Sequence, residues 1–269
     1  MIPRKIHFIW VGDSPKPDVI LKCMESWRKF LPNYELVEWG NEEFQNIKNT
    51  YAEQAFANRK WAFVSDYIRL YALYHHGGIY LDGDLEITHS LDEFLHLSFF
   101  SSYENYQGSC LPITTAMLAA EPGNATIKAL LDEYETAKFQ TDEGLDQTPN
   151  TLRVTRYFAS RFNVHPPYDD TCTTKLDDNS IIFPASHFCT PVPGLPNYAV
   201  HHFHGSWKDG FTRKRKLKLP RGLSLVRFRK TSSGVSNILP LAANERLLFR
   251  IRISKRKILA LIQYNESTS

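Results

Sequence analysis

Cysteine is scarce in this chain, and the four present stand far apart. Cys23, Cys110, Cys172 and Cys189 form no CxxC pair, which argues against a zinc cluster or a disulfide framework and fits a reducing compartment. Also missing is any apolar run near the ~20 residues that a bilayer-crossing helix needs. The opening, MIPRKIHFIWVG, has a short alternating apolar stretch and no small-residue cleavage site after it, so it does not read as a secretory leader. No internal repeat and no low-complexity tract interrupts the sequence. These absences lead to the expectation of a cytoplasmic protein.

What is present suits one large domain with an appendage: 269 residues, 42% hydrophobic and 13% aromatic. The net charge of +3 conceals a split. Residues 211–269 hold 15 Lys and Arg against 2 Asp and Glu, a local charge of +13; residues 1–210 hold 17 against 27, a charge of −10. The chain therefore reads as an acidic body, 1–210, carrying a basic extension, 211–269.

Along the body, strand and helix patterns alternate. RKIHFIWVG alternates into a strand ending at Gly12, DVILKCMESWRKFLP has helical spacing and stops before Pro32, and YELVEW is a second strand. NEEFQNI opens a helix with Asn41 as its expected N-cap. In NRKWAFVSDYIRLYALYHHGG, Trp61, Val64, Ile68 and Tyr71 form a 3.6-period stripe that Gly77 closes. Later segments predict helices over NATIKALLDEYETAKF and TPNTLRVTRYFASRF, the second with Pro149 just inside a threonine cap, and strands over SIIFPASHF and YAVHHFHGSW. This order implies an α/β fold with a largely parallel central sheet and flanking helices. In such sheets ligands bind beyond the carboxyl ends of the strands, which places Trp10 and the Asp82-Gly83-Asp84 turn on the functional edge.

Two carboxylates one residue apart repel each other, and a cation between them relieves the penalty. Hard divalent ions such as Mg²⁺ and Mn²⁺ take carboxylate oxygens and complete their shells with water and phosphates, so Asp82 and Asp84 are metal candidates, against the alternative of a solvated Asp-Gly turn. Gly83 is read as allowing a diphosphate close to the backbone. Asp66 and Arg69 sit at i and i+3 on the preceding helix; one alternative is an ordinary surface ion pair, about 0.3–0.5 kcal/mol, the other an acceptor for sugar hydroxyls beside a fork for phosphate oxygens. Trp10 is a core aromatic or a wall that stacks on a nucleobase. Of the histidines in HHFHGSW, His202 and His204 share a strand face and His201 points the other way, so all three cannot reach one ion.

Taken together, IPRKIHFIWVG, PNYELVEW, FVSDYIRLYALYHHGGIYLDGDLEI, AAEPGNATIKALLDEY and YAVHHFHGSW resemble the glycosyltransferases with a DXD sugar-binding region, family thirty-two, over roughly residues 1–210. The clostridial glucosylating toxins look like distant relatives. The resemblance implies a GT-A fold, a UDP-hexose or UDP-N-acetylhexosamine donor (GDP-mannose in some relatives), Mn²⁺ or Mg²⁺, and transfer with retention. It implies that Trp10 stacks on the uracil and that Asp66 and Arg69 hold the donor sugar, with Tyr80 lining the site. Asp82 would contact ribose, sugar and metal-bound water, Asp84 and the first histidine of the late motif, His201, would meet the metal, and Ser206 and Trp207 would close over the diphosphate. The chain departs from relatives near Thr115 and at 148–150, where TPN stands for TGP.

For the basic extension, RKRKLKLPRGLSLVRFRK and RLLFRIRISKRKILALIQ suggest either a helical region with a solvated basic face or a segment that meets the anionic cytoplasmic leaflet. Stacking aromatics are few among the charges, so no nucleic-acid partner is expected. The leading expectation is a cytoplasmic, metal-dependent, retaining hexosyltransferase, peripheral on the inner membrane, that extends a lipid-linked glycan for bacterial capsule or O-antigen. A toxin-like transferase acting on a protein, and a non-catalytic basic membrane or nucleic-acid module, are the alternatives. A glycoside hydrolase would need its carboxylates ~5–9.5 Å apart across a bond and no metal.

Overall fold

The computed structural model describes residues 1–106, 108–142, 144–203, 211–219, 223–230, 245–254 and 257–264. The chain divides into two compact units, Met1–His204 and Gly205–Ser269. In chain order the first contains β1 (Lys5–Ile9), α1 (Asp18–Phe30), β2 (Glu35–Trp39), α2 (Asn41–Gln45), α3 (Thr50–Ala57), α4 (Trp61–His76), β3 (Gly78–Leu81) and β4 (Leu85–Ile87). A 3-10 turn at Asp92–Phe94 leads to β5 (Phe99–Tyr106), β6 (Ser109–Ile113), β7 (Met117–Ala120), α5 (Ala125–Asp132), β8 (Gln140–Thr141), β9 (Gly144–Leu145) and α6 (Asn150–Phe162). The unit continues through β10 (Thr174–Asp177), β11 (Ser180–Phe183), α7 (Ala185–Phe188) and β12 (Ala199–His201).

The central sheet has the order β10-β11-β5-β7-β3-β1-β2, with β6 paired to β5. Strands β1, β2, β3, β5 and β11 run one way and β7 and β10 the other. The α/β fold with a largely parallel sheet and flanking helices is therefore what the chain adopts. Strand alternation sorts side chains into two layers. Ile79 and Leu81 of β3 join Phe8, Ile20 and Trp27 on one face, whereas Tyr80 joins Val64, Ile68, Tyr51 and Phe158 on the other. Helix α1 follows from Ile20, Cys23, Met24 and Trp27, an i, i+3, i+4, i+7 stripe that is buried.

The double glycine between α4 and β3 has a steric cause. Gly77 takes φ +61° and caps α4 through its N–H to Leu73 O, and a Cβ there would lie 2.5 Å from Pro122. Gly78 takes φ +112°, where a Cβ would lie 2.7 Å from Lys5 O. Any other residue would push the strand off β1. Helix α4 runs back along the sheet between the parallel strands β2 and β3. Its first turns, rather than its end, therefore lie at the carboxyl edge beside Asp82. Two caps shift by one residue: α2 starts at Asn41 with Gly40 as its cap, and Pro149 caps α6.

In the second unit the structure overturns the helical expectation. Residues Phe211–Lys218 (β13), Leu223–Lys230 (β14), Glu245–Ser254 (β15) and Lys257–Tyr264 (β16) form an antiparallel sheet, β13-β14-β16-β15. The reason is period: Ser224, Val226 and Phe228 are buried, while Leu223, Leu225 and Arg227 are half-exposed, the two-residue alternation of a strand.

Candidate active site

The site forms where β3 ends. Because side chains two apart on a strand share a face, Tyr80 points to α4 and Asp82 follows on its side. The chain is held there by Asp82 N–H to Ala116 O at 2.8 Å and Leu85 N–H to Asp82 O at 3.0 Å. The turn at Gly83 owes its glycine to packing from beneath: a Cβ would meet Ile20 and Phe8 at 3.0 Å. That direction points into the core, so the room at Gly83 is not an opening for a ligand.

Asp66 and Arg69 are buried, 9% and 5% exposed, and their ion pair closes at 2.8 Å. The surface-pair alternative fails on this burial. Arg69 is completely engaged: Nε donates to Ser65 O at 3.2 Å, Nη1 to Thr115 O at 2.8 Å and Nη2 to Ser65 Oγ at 3.1 Å. With Asp66 on Nη2 and Asp82 3.5 Å from Nη1, partners exist for all the N–H donors a guanidinium carries. Its Cζ also lies 4.6 Å from the Tyr80 ring centroid. A relay runs from Arg69 Nη2 to Ser65 Oγ, from Ser65 to Tyr80 Oη at 3.2 Å, and from Tyr80 to Asp82 Oδ1. Ser65 and the Thr115 carbonyl escaped the sequence reading. Ser65 stands i−4 to Arg69, a spacing that could have flagged it, whereas a backbone carbonyl leaves no side-chain signal.

Asp84 comes into place through β12. That strand pairs antiparallel with β4, His201 opposite Leu85, and His202 N–H donates to Asp84 O at 3.0 Å. This sets His201 Nε2 3.6 Å from Asp84 Oδ1. His202 turns the other way and pairs with Glu86 at 2.8 Å. Ligand atoms of Asp82, Asp84 and His201 all lie within 4.8 Å of one another. Ligands of one Mg²⁺ sit at about 2.1 Å from it, so a small inward shift brings all three into range. Two carboxylates and an imidazole are also the donor types such ions accept. The residues fit a divalent cation.

The charges respond to this crowding. Burial pushes the Asp66 carboxyl up to about 6, with Arg69 working against the rise and Asp82 adding to it. Burial and the carboxylate beside it push the Tyr80 phenol well above its ordinary range, so it remains a donor. For His201, burial opposes the charged ring, but the hydrogen bond to Asp84 and the charges of Asp84 and Asp82 raise it to about 10. Imidazolium there supplies the positive charge the carboxylates demand.

Trp10 is half-buried at the end of β1; its Nε1–H donates to Ser14 O at 2.8 Å and its ring lies near-parallel to Phe8, centroids 6.2 Å apart. Phe8 also underlies Gly83, so Trp10 and the acidic turn share one support. Ser206, Trp207 and His204 lie outside the described residues. Arg153 of α6, which the sequence reading passed over, lies over the rings of Tyr51 and Tyr134 and adds positive charge near Asp66.

Residues 17–100 match the family model described as the glycosyltransferase sugar-binding region containing the DXD motif. Over 217 residues the chain is 24% identical to the uncharacterized glycosyltransferase L373 of Acanthamoeba polyphaga mimivirus, which covers 77% of this chain and 84% of that protein. It is 24% identical over 169 residues to the subversion of eukaryotic traffic protein A of Legionella pneumophila, covering 52% of this chain and 26% of that protein. Among solved structures it is similar to the PaToxG glycosyltransferase, with a TM-score of 0.44 and 20% identity over 60% of this chain and 70% of that one.

Proposed function

From a glycosyltransferase sugar-binding region at residues 17–100, we propose that this chain moves a hexosyl or N-acetylhexosaminyl group from a UDP-sugar to a glycan acceptor, with retention at the anomeric carbon and with Mn²⁺ or Mg²⁺. The observation that carries this is the convergence of Asp82, Asp84 and His201 within 4.8 Å beside the buried Asp66–Arg69 pair, beyond the carboxyl end of a parallel strand.

In this reaction the bond from the anomeric carbon to the β-phosphate oxygen breaks and one to the acceptor oxygen forms. The acceptor proton passes to the departing phosphate. A divalent cation, when bound, neutralises charge on that phosphate. The protein's own groups bind and orient. Asp66 accepts hydrogen bonds from sugar hydroxyls, and Asp82 does so for ribose and sugar, since a carboxylate offers about four acceptor positions. Arg69, its donors engaged inside the protein, braces both carboxylates and supplies a fixed positive field rather than a fork on the ligand. Tyr80 lines the site and Trp10 stacks on the uracil. No side chain acts as nucleophile, and trapping a glycosyl group on Asp66 would overturn that.

The test is a screen of UDP-sugars and GDP-mannose for Mn²⁺-dependent hydrolysis. Activity that EDTA abolishes supports the reading, and none with any donor sinks it. Two acceptors remain to be separated by transfer assays: a lipid-linked glycan of capsule or O-antigen type, favoured by the basic unit, and a protein. The basic unit suits a peripheral position on an anionic cytoplasmic leaflet. Half-exposed Leu223, Leu225, Leu259 and Leu261 stand with Arg227 and Lys257 on one pair of strands. Flotation with anionic vesicles should weaken in the Arg227→Glu, Lys257→Glu chain, and equal flotation would refute it. Among the described residues no helix is long and apolar enough to cross a membrane.

A further inference from the structure

Phe203 stands two residues beyond His201 and takes φ +48°, the left-handed region that bulky residues avoid. A side chain stays there only where its surroundings outweigh the penalty. The surroundings are aromatic. The Phe203 ring lies 4.0 Å from the His201 ring, centroid to centroid, at 35°, and 4.8 Å from Tyr106 at 62°. Side chains two apart on an extended strand share a face but stand about 6–7 Å apart. The turn at Phe203 closes that gap. Tyr106 ends β5, so an unbroken row of rings ties the β5–β6 hairpin to His201.

We infer that Phe203 is a positioning residue for His201: its ring fixes the plane of the imidazole so that Nε2 faces Asp84, and Tyr106 braces it from behind. A π-face also favours an imidazole made electron-poor by a proton or a divalent cation. The inference rests on the metal centre proposed above. It adds a residue that neither touches the ion nor carries a polar group.

The experiment titrates Mn²⁺ into the full chain without donor, reading free Mn²⁺ by electron paramagnetic resonance. Phe203→Leu should weaken binding about tenfold, as loss of an orienting partner does, and Phe203→Tyr should restore it to within about twofold. In donor hydrolysis, the Mn²⁺ concentration for half-maximal rate should rise by the same factor, with the rate at saturating Mn²⁺ unchanged. If His201→Ala loses affinity and Phe203→Leu does not, the inference falls and the metal centre stands. If His201→Ala binds Mn²⁺ as tightly as the parent chain, the metal centre itself falls, and the inference with it. Should Phe203→Leu fail to fold, Tyr106→Leu, at a 38% exposed position, serves instead; it should weaken Mn²⁺ binding about threefold, and unchanged affinity refutes the brace.

Discussion

Strand β3 has a polar cluster at each end, buried at its start and partly buried at the far end, and the two are built on opposite principles. At its start, Trp39 Nε1–H donates to His7 Nδ1 at 3.1 Å, and His7 Nε2, then the protonated nitrogen, donates to Gly77 O at 2.7 Å. Every donor has an acceptor and no net charge is present. Burial drives His7 down to about 4, against the pull of its bond to Gly77, and so keeps it neutral. At the far end, Asp66, Asp82 and Asp84 outnumber the buried Arg69, and His201 is pushed to about 10. Polar burial that closes on itself holds the fold. Polar burial left with surplus negative charge draws positive charge from wherever it is offered, a proton on His201 or a divalent cation.

The sharpest test of that contrast is to remove one charge from the far cluster. Asp84→Ala should lower Mn²⁺-dependent donor hydrolysis by about 10³-fold, because electrostatic stabilisation of the leaving group is lost. Its thermal midpoint should move little, because the repulsion from Asp82 and the attraction to His201 are lost together. A large loss of stability would show that the acidic cluster is structural, like the one at His7. The reciprocal change, His7→Leu, strands Trp39 Nε1 and Gly77 O in the core and should cost about 2–4 kcal/mol in urea unfolding. Activity per folded molecule should stay within about twofold, since the proposed site lies at the other end of the strand. A selective loss of activity would break the division between the two ends.

Acid sharpens the comparison further. His7 is held below its ordinary 6.5, so folding favours the neutral ring; the contribution is complete above 6.5 and is lost as pH falls toward 4. Between pH 7 and 5 it removes about 2 kcal/mol of stability, and His7→Leu should flatten that part of the curve. Asp66 has the opposite sense. Its folded carboxyl is raised to about 6, so the fold prefers it protonated, and stability from that preference fades as pH rises through 6. On the proposed function, ionised Asp66 is the form that would accept sugar hydroxyls. The rate kcat/KM should therefore halve near pH 6 on the acid side, and Asp66→Asn should remove that limb along with most activity. An unmoved limb in Asp66→Asn would assign it elsewhere.

Much of this was legible in the chain because it is written in local signals. Gly77 and Gly78 announced the end of α4, and the Asp82–Asp84 spacing marked the acidic turn that the structure brings together with His201. Burial of Asp66 and Arg69 was not legible, since i, i+3 spacing places two residues on one helix face without saying what covers it. The commitment of Arg69's donors was hidden too: two of its acceptors are the carbonyls of Ser65 and Thr115, which no side-chain pattern reveals. Gly83 misled for a related reason, because the space a Cβ would claim belongs to Ile20 and Phe8, far away in sequence. In the basic unit, dense cations drew attention away from the strand period that Val226, Phe228 and their neighbours carry.

The smallest effect isolates the strand geometry. His201 and His202 are adjacent and chemically identical, yet alternation on β12 sends one to Asp84 and the other to Glu86. The His202–Glu86 pair has side chains 37% and 45% exposed, where screening leaves an ion pair worth about 0–1 kcal/mol. His202→Ala should therefore leave Mn²⁺ affinity within about twofold and stability within about 0.5 kcal/mol, both read beside His201→Ala. Equal losses of Mn²⁺ affinity in the two variants would mean that the imidazoles exchange places, and the register between β12 and β4 would no longer explain which one reaches the acidic turn.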